Sequence, residues 1–312
     1  MEYKRLGKSG LQVSVIGLGC NNFGMRIDKD QTKAVVDKAI EAGVTLFDTA
    51  NLYGGTRSEE FLGAALGDRR KDIVLATKFG GPMGGGPYSK GGARRHIIQM
   101  CEDSLRRLNT DWIDLYQFHF PDPLTPIEET LRALDDLVRS GKVRYIGSSN
   151  MSGWQAVEAE WTARSHNLNA FVSAQNEYNA IDRRIEKELA PACQKYGIGI
   201  LPYFPLANGL LTGKYKRGEK PADGTRMAAY GPRGERLMSD ENFDVVEKLE
   251  PFAADRGKTI LELAFAWLLS HDYIPSVIAG ATRPEQVAAN AAAGDWRLTP
   301  EEMDEVDRIT KR

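Results

Sequence analysis

Cysteine is scarce in this chain and never clustered: Cys20, Cys101 and Cys193 are the three among 312 residues. An odd, scattered set excludes a disulfide framework and suits reduced thiols in a cytoplasmic protein. His96, His166 and His271 are equally isolated and make no ligand set with His119, so no metal is expected, and a metal-dependent barrel hydrolase lacks its ligands. No Cys-x-x-Cys, His-Glu-x-x-His or Gly-x-Ser-x-Gly pattern occurs. The start, Met1-Glu-Tyr-Lys-Arg-Leu-Gly7, lacks the apolar core of a signal peptide, and no later run is long enough to span a bilayer. Asn150-Met-Ser152 matches a glycosylation acceptor, which without secretion has no consequence. Neither sign of charge dominates: the net charge of −2 gives no reason to expect nucleic acid or an anionic membrane as partner.

What is present is an ordinary globular composition, 42% hydrophobic and 27% charged, enough for a large core. The length fits one α/β barrel, so residues 1–312 are expected to form a single domain. Tyr3–Leu6 and Leu11–Val13, joined by Gly7-Lys-Ser-Gly10, read as a hairpin. Short apolar runs then alternate with amphipathic segments. The strand candidates are Val13–Gly17, Thr45–Asp48, Ile73–Thr77, Ile113–Phe118, Val143–Gly147, Phe171–Gln175, Gly199–Pro202 and Ser276–Ala279. Capping boxes are predicted at Thr56–Glu59, Thr125–Glu128, Ser152–Gln155, Thr282–Glu285 and Thr299–Glu302, with Pro126 and Pro300 at first helical positions.

Repeated β-then-α units without a composition break predict a closed (β/α)8 TIM barrel with an N-terminal hairpin and extra helices. The rival is a doubly wound sheet. Its dinucleotide fingerprint is missing, since Gly17-Leu-Gly19-Cys-Asn-Asn22 has Asn22 where the third glycine belongs. Two segments break the rhythm, Gly80–Gly92 and Tyr203–Ser239, the second rich in Gly, Lys and Arg. Both would leave the carboxyl face of the barrel. The first reads equally as a surface insertion or a clamp, and the second better as a lid. Asp240–Ser270 reads as two helices split at Asp255-Arg-Gly257, and Thr299–Thr310 as a terminal helix.

Four ionisable residues fall at or just after ends of consecutive strands: Asp48, Tyr53, Lys78 and His119. Singly, each has an ordinary structural reading as a turn cap, a half-buried ring, a solvated charge or a core imidazole. In a parallel barrel these ends converge, and together they form a chemical set. A free phenol titrates near pH ~10. An ammonium beside it is expected to lower that value and make Tyr53 a usable acid, with Asp48 orienting Lys78. His119 supplies a hydrogen bond for a carbonyl oxygen.

In this order and context, Asp48, Tyr53, Lys78 and His119 resemble the catalytic tetrad of the aldo-keto reductase superfamily. Leu46-Phe-Asp-Thr-Ala-Asn-Leu-Tyr-Gly54 is similar to that family's signature. The likeness also covers Arg5-Leu-Gly-Lys-Ser-Gly-Leu-Gln-Val-Ser14 and Gly141-Lys-Val-Arg-Tyr-Ile-Gly-Ser-Ser-Asn150. It implies NADP(H) extended across the carboxyl face, without a Rossmann domain or metal. It further implies reversible reduction of a small aldehyde or ketone by hydride transfer, with Tyr53 as general acid.

By the same resemblance, Ser149, Asn150 and Gln175 hold the nicotinamide carboxamide, whose donors and acceptors they match. Tyr203 stacks on the nicotinamide ring. Phe204, Pro205, Leu206, Ala207, Asn208 and Gly209, with Lys214, form the pyrophosphate loop, and Arg226 adds a second cation. Phe204 and Asn208 depart from the commoner pattern, in which a serine and a small or amide residue stand there. Asp48, Cys20 and Asn21 approach the nicotinamide. Gly280, Thr282, Arg283, Gln286 and Asn290 grip the adenosine end, with Thr282 and Arg283 suited to a 2′-phosphate. Phe23, Tyr88 and Phe120 are candidate walls of the substrate pocket. An alternative is an NADP(H)-binding redox-sensing or regulatory subunit with little turnover; His119 argues against it, because such subunits typically carry another residue there. The substrate's identity, the direction of reaction and the oligomeric state stay open.

Overall fold

The computed structural model describes residues 1–311, apart from the side chains of Arg226 and Arg233. Strands β1 (Tyr3–Arg5) and β2 (Gln12–Ser14) pair antiparallel, Lys4 opposite Val13. Eight further strands follow: β3 (Ile16–Gly19), β4 (Leu46–Asp48), β5 (Val74–Phe79), β6 (Ile113–Phe118), β7 (Val143–Ser149), β8 (Ser173–Glu177), β9 (Gly199–Tyr203) and β10 (Val277–Gly280). They pair in chain order from β3 to β9, parallel throughout, and β10 returns to pair with β3. This is a (β/α)8 barrel whose one unladdered seam, among the described residues, lies between β9 and β10.

Alternation along the strands builds the core in two shells. Leu46, Ala76, Leu115, Leu201 and Ile278 fill the barrel's interior together with Leu6 and Val13 of the hairpin. The hairpin therefore plugs the amino ends of the strands, where the Lys8 amide donates to Gly197 O at 2.7 Å. Outward residues pack under the helices. Phe47 and Leu75 meet Val35, Val36 and Leu62, and Tyr116 and Phe118 meet Ile97, Leu131 and Leu134. Because Val13 belongs to the hairpin, the first barrel strand begins at Ile16 rather than at Val13.

Helices Lys29–Glu41, Arg57–Leu66, Arg94–Leu108, Ile127–Arg139, Gly153–Ser165, Leu189–Tyr196 and Pro284–Ala292 form the outer layer, and Pro300–Thr310 ends the described chain. Capping boxes close at Ser152 and Thr299 as expected, and also at Asp28 and Thr259. Three predicted boxes do not form. Thr56 sits at φ 83°, in the left-handed region, and its hydroxyl donates to Glu60 instead. Pro126, not Thr125, is the residue at the helix boundary, because Thr125 turns to Asp122 at 2.7 Å. Arg283 takes the boundary of Pro284–Ala292, while the Thr282 amide is captured by Gln286 at 2.7 Å.

The insertion after β9 contains two short helices, Arg226–Ala229 and Pro232–Leu237, before Asp240–Ala254 and Ile260–Leu269 complete that unit. Arg217 pins it to the longer helix through Asp240, Asp244 and Glu247, at 2.6 to 3.0 Å. Residues 80–92 are irregular, closed at the base by Gly91 N to Gly80 O at 3.0 Å. No described helix is long and apolar enough to cross a membrane.

Candidate active site

Two residues beyond each interior apolar side chain comes the next inward position: Asp48 after Leu46, Lys78 after Ala76, Gln117 after Leu115, Tyr203 after Leu201. The floor of the site is thus simply the last layer of the barrel, made polar. Lys78 is fully buried, and its ammonium donates to Asp48 Oδ2 at 2.6 Å, Thr49 O at 2.8 Å and Tyr53 Oη at 3.4 Å. Tyr53 reaches it from a tight turn in which Gly54 and Gly55 have φ of 59° and 64°. A Cβ on Gly54 would lie 2.6 Å from Phe23 O, so only glycine lets the turn press against the β3 exit. His119 stands at the end of β6, its ring 5.8 Å from that of Tyr53 and nearly perpendicular. Phe120 stacks on it at 4.2 Å.

Burial and charge set the protonation states. Desolvation pushes the Tyr53 phenol above its ordinary value, outweighing the downward pull of Lys78. The expected lowering is therefore not what this geometry gives, and Tyr53 keeps its proton. Lys78 is held charged: burial works against the ammonium, but Asp48 and Tyr53 together raise its pKa. His119 is driven down to about 2, first by desolvation and then by the Lys78 charge, so the imidazole is neutral. Its Nδ1 is buried and has no partner among the described residues. Cys20, buried beside Asp48, is raised well above the thiol range by desolvation.

Around this floor a cavity of about 830 Å³ opens at the carboxyl ends. Its lining runs from Asp48, Tyr53 and His119 through Cys20, Asn21, Ser149, Asn150, Gln175 and Tyr203 to Phe204, Pro205, Leu206, Asn208, Gly209 and Lys214. Gly280, Thr282, Arg283, Gln286 and Asn290 complete it, and Phe120 lines it at 42% exposure. Lys78 lies beneath, and Ala207 is buried behind the wall. The Arg226 side chain lies outside the described residues. Of the proposed pocket walls, Phe23 is fully buried under the turn and Tyr88 is 55% exposed beneath Arg95; neither lines the cavity.

Several lining groups are already engaged. Ser149 Oγ donates to Gln175 O at 2.9 Å, Asn150 Nδ2 to His119 O at 3.0 Å, and Tyr203 Oη to Asn150 Oδ1 at 2.8 Å. Gln175 Nε2 donates to Asp48 Oδ1 at 2.9 Å. Asn150, Phe204, Ala207 and Asn208 all hold positive φ, between 45° and 59°, so strain gathers on this rim. Arg26, Lys214 and Arg283 line the cavity without a carboxylate partner among the described residues; Arg26 instead donates to Gly224 O at 2.7 Å, joining the β3 exit to the insertion.

Sequence reasoning missed Gln117, Arg26 and Glu177. Gln117 carried a signal: it is a polar residue two places beyond inward-facing Leu115 and two places before His119. Arg26 and Glu177 sit in loop and strand-end positions that only the fold brings to the rim.

Comparison with known proteins agrees with this geometry. Residues 15–311 match the model of the Aldo/keto reductase family. A rice (Oryza sativa subsp. japonica) protein named "Probable voltage-gated potassium channel subunit beta" is 39% identical, covering 100% of this chain and 97% of its own. The Bacillus subtilis "Uncharacterized oxidoreductase YrpG" is 36% identical over 96% of this chain and 93% of its own. "L-glyceraldehyde 3-phosphate reductase" of Escherichia coli is 32% identical over 99% and 92%. A family match along nearly the whole length, on a barrel that gathers this acid, phenol, amine and imidazole at its mouth, has one meaning: the chain belongs to the aldo/keto reductase family of oxidoreductases.

Proposed function

We propose that this protein is an NADPH-dependent carbonyl reductase that also runs in reverse as an alcohol dehydrogenase. One observation carries the reading: a fully buried ammonium lies between Asp48 and the hydroxyl of Tyr53, beside a neutral His119, at the wall of the cavity. In a carbonyl reduction the oxygen needs a proton as the carbon receives hydride. Tyr53 bears that proton at working pH, since burial holds its pKa up. Lys78 lies close enough to stabilise the phenolate that is left. A neutral imidazole at position 119 donates one hydrogen bond to orient the substrate oxygen without competing for its proton.

The residues present fit a nicotinamide dinucleotide, which supplies the hydride when bound. Tyr203 offers an aromatic face, and Ser149, Asn150 and Gln175 offer amide and hydroxyl groups for a carboxamide. Lys214, with no carboxylate partner among the described residues, suits phosphate, as does Arg283 at the amino end of helix Pro284–Ala292. Arg283 also favours NADPH over NADH, because only NADPH brings a further phosphate.

Tyr53→Phe tests the reading directly. It should lower kcat for NADPH-dependent aldehyde reduction by roughly 100-fold or more while NADPH affinity, read by fluorescence quenching, stays near wild type. Substantial activity in the variant would remove Tyr53 as the donor. A second reading, a cofactor-binding subunit, draws on the 39% identity to a protein named as a probable channel subunit. It predicts tight NADPH binding with no oxidation by aromatic aldehydes, dicarbonyls, sugars or ketones.

A further inference from the structure

The inward position two residues before His119 is unused by the chemistry above. Gln117 on β6 has no exposed surface and sits cross-strand from Lys78. The neighbouring strand makes room for it: a Cβ on Gly147 would come 3.3 Å from Gln117 Cγ and 2.4 Å from Ser173 Oγ. Gln117 Nε2 donates to Asp48 Oδ1 at 2.9 Å, the same oxygen that Gln175 Nε2 reaches at 2.9 Å. Oδ2 is left to Lys78 at 2.6 Å. A carboxylate swings readily about its last bond. Two amide donors on one oxygen remove that freedom and divide the work of the two oxygens.

We propose that Gln117 is a positioning residue of the proton-donating machinery. By holding Asp48 Oδ1, it keeps the Lys78 ammonium shared between Asp48 and the Tyr53 hydroxyl. Without it, Gln175 alone holds Oδ1, and the carboxylate is freer to turn toward Lys78 and draw the ammonium off the phenol. Gln117 does not line the cavity; it reaches the site through Asp48 Oδ1, and more weakly through Gln175, whose Nε2 donates to Gln117 Oε1 at 3.4 Å. The proposal rests on Tyr53 being the proton donor.

Two variants test it, Gln117→Met and the nearly isosteric Gln117→Glu, with thermal midpoint and NADPH affinity as checks on folding. Gln117→Met should lower kcat for an aromatic aldehyde roughly 10- to 100-fold, the scale of a misplaced catalytic group, and move the pH profile of kcat, leaving NADPH affinity unchanged. In Gln117→Glu the introduced carboxyl donates only while protonated, so kcat should gain an extra fall with rising pH that the wild type lacks. On an Asp48→Asn background, Gln117→Met should cost no further rate, because the group it acts through is gone. A folded variant with the wild-type kcat and pH profile would make Gln117 a packing residue, and an additive loss with Asp48→Asn would overturn the proposal equally. Tyr53→Phe measured alongside separates the two claims. Turnover there removes the proton donor itself; an inactive Tyr53→Phe beside unaffected Gln117 variants removes only the positioning role.

Discussion

At the residue scale, the site works by depriving charges of water. Lys78 is an ammonium with no exposed surface, and a buried charge persists only when it is paired and fully hydrogen-bonded. Asp48, Thr49 O and Tyr53 meet that demand. The rim has the opposite character: Arg26, Lys214 and Arg283 have no carboxylate partner among the described residues, which suits the proposed phosphate contacts. Arg283→Ala should therefore weaken NADPH about 10- to 100-fold, the worth of one charge-assisted contact, and leave NADH nearly unchanged. Equal losses for both cofactors, measured by titration, would show that Arg283 does not read the extra phosphate.

Much of this is legible in the sequence. Asp48, Lys78 and His119 each terminate an apolar run, and the polar residue ending a buried parallel strand is the one that faces the mouth. The electrostatics were not legible. Whether Lys78 or burial decides the Tyr53 pKa depends on how much water reaches the phenol, which no spacing encodes. Phe23 and Tyr88 were misplaced for a related reason. Both are aromatics after strand ends, but the tight turn at Gly54 covers one, and the irregular 80–92 segment carries the other outward.

At the scale of elements, the strands extend further toward the mouth than their apolar runs suggest. β5 runs to Phe79, β7 to Ser149 and β8 to Glu177, each about two residues past the expected stop. Apart from Phe79, those residues are ladder-bonded but polar, so hydrophobic patterning reads them as loop. Helix starts show the converse. A Ser/Thr-x-x-Glu pattern is one of several local options, and competing hydrogen bonds to Glu60, Asp122 and Gln286 replace it at Thr56, Thr125 and Thr282. Thr259→Ala and Thr299→Ala should each cost about 1 kcal/mol, the worth of an N-cap hydroxyl, seen as a lower urea midpoint. Thr56→Ala, with no cap to lose, should stay within about 0.5 kcal/mol of wild type. A loss at Thr56 as large as at Thr299 would mean that the box forms after all.

At the scale of the whole molecule, buried His96 and His119 and half-buried His271 are held toward their neutral form. Desolvation is the first cause for each: His96 is lowered, His119 goes to about 2 and His271 to about 4. Unfolded, they titrate near pH ~6.5. Below that pH the unfolded chain binds more protons than the folded one, so stability falls as the solution is acidified from about pH 6.5 toward the folded values. His271→Gln should flatten that dependence between pH 7 and 5, where His271 itself contributes. Thermal midpoints with the same slope in variant and wild type would show that His271 takes up no proton on unfolding. His271 sits beside Tyr178 and Tyr273 and does not line the cavity, so the variant should leave kcat in place.

The hairpin plug has a practical corollary. Because β1 and β2 stopper the amino ends of the strands, the cavity that holds the proposed reacting groups opens at the other pole. A bead or electrode coupled through Tyr3 alone, and not through the more exposed Tyr88 on the 80–92 segment, would thus present the copies mouth outward, with the insertion after β9 clear of the support. Random coupling through surface lysines would instead reach Lys214 on the rim itself and blind a share of the immobilised molecules.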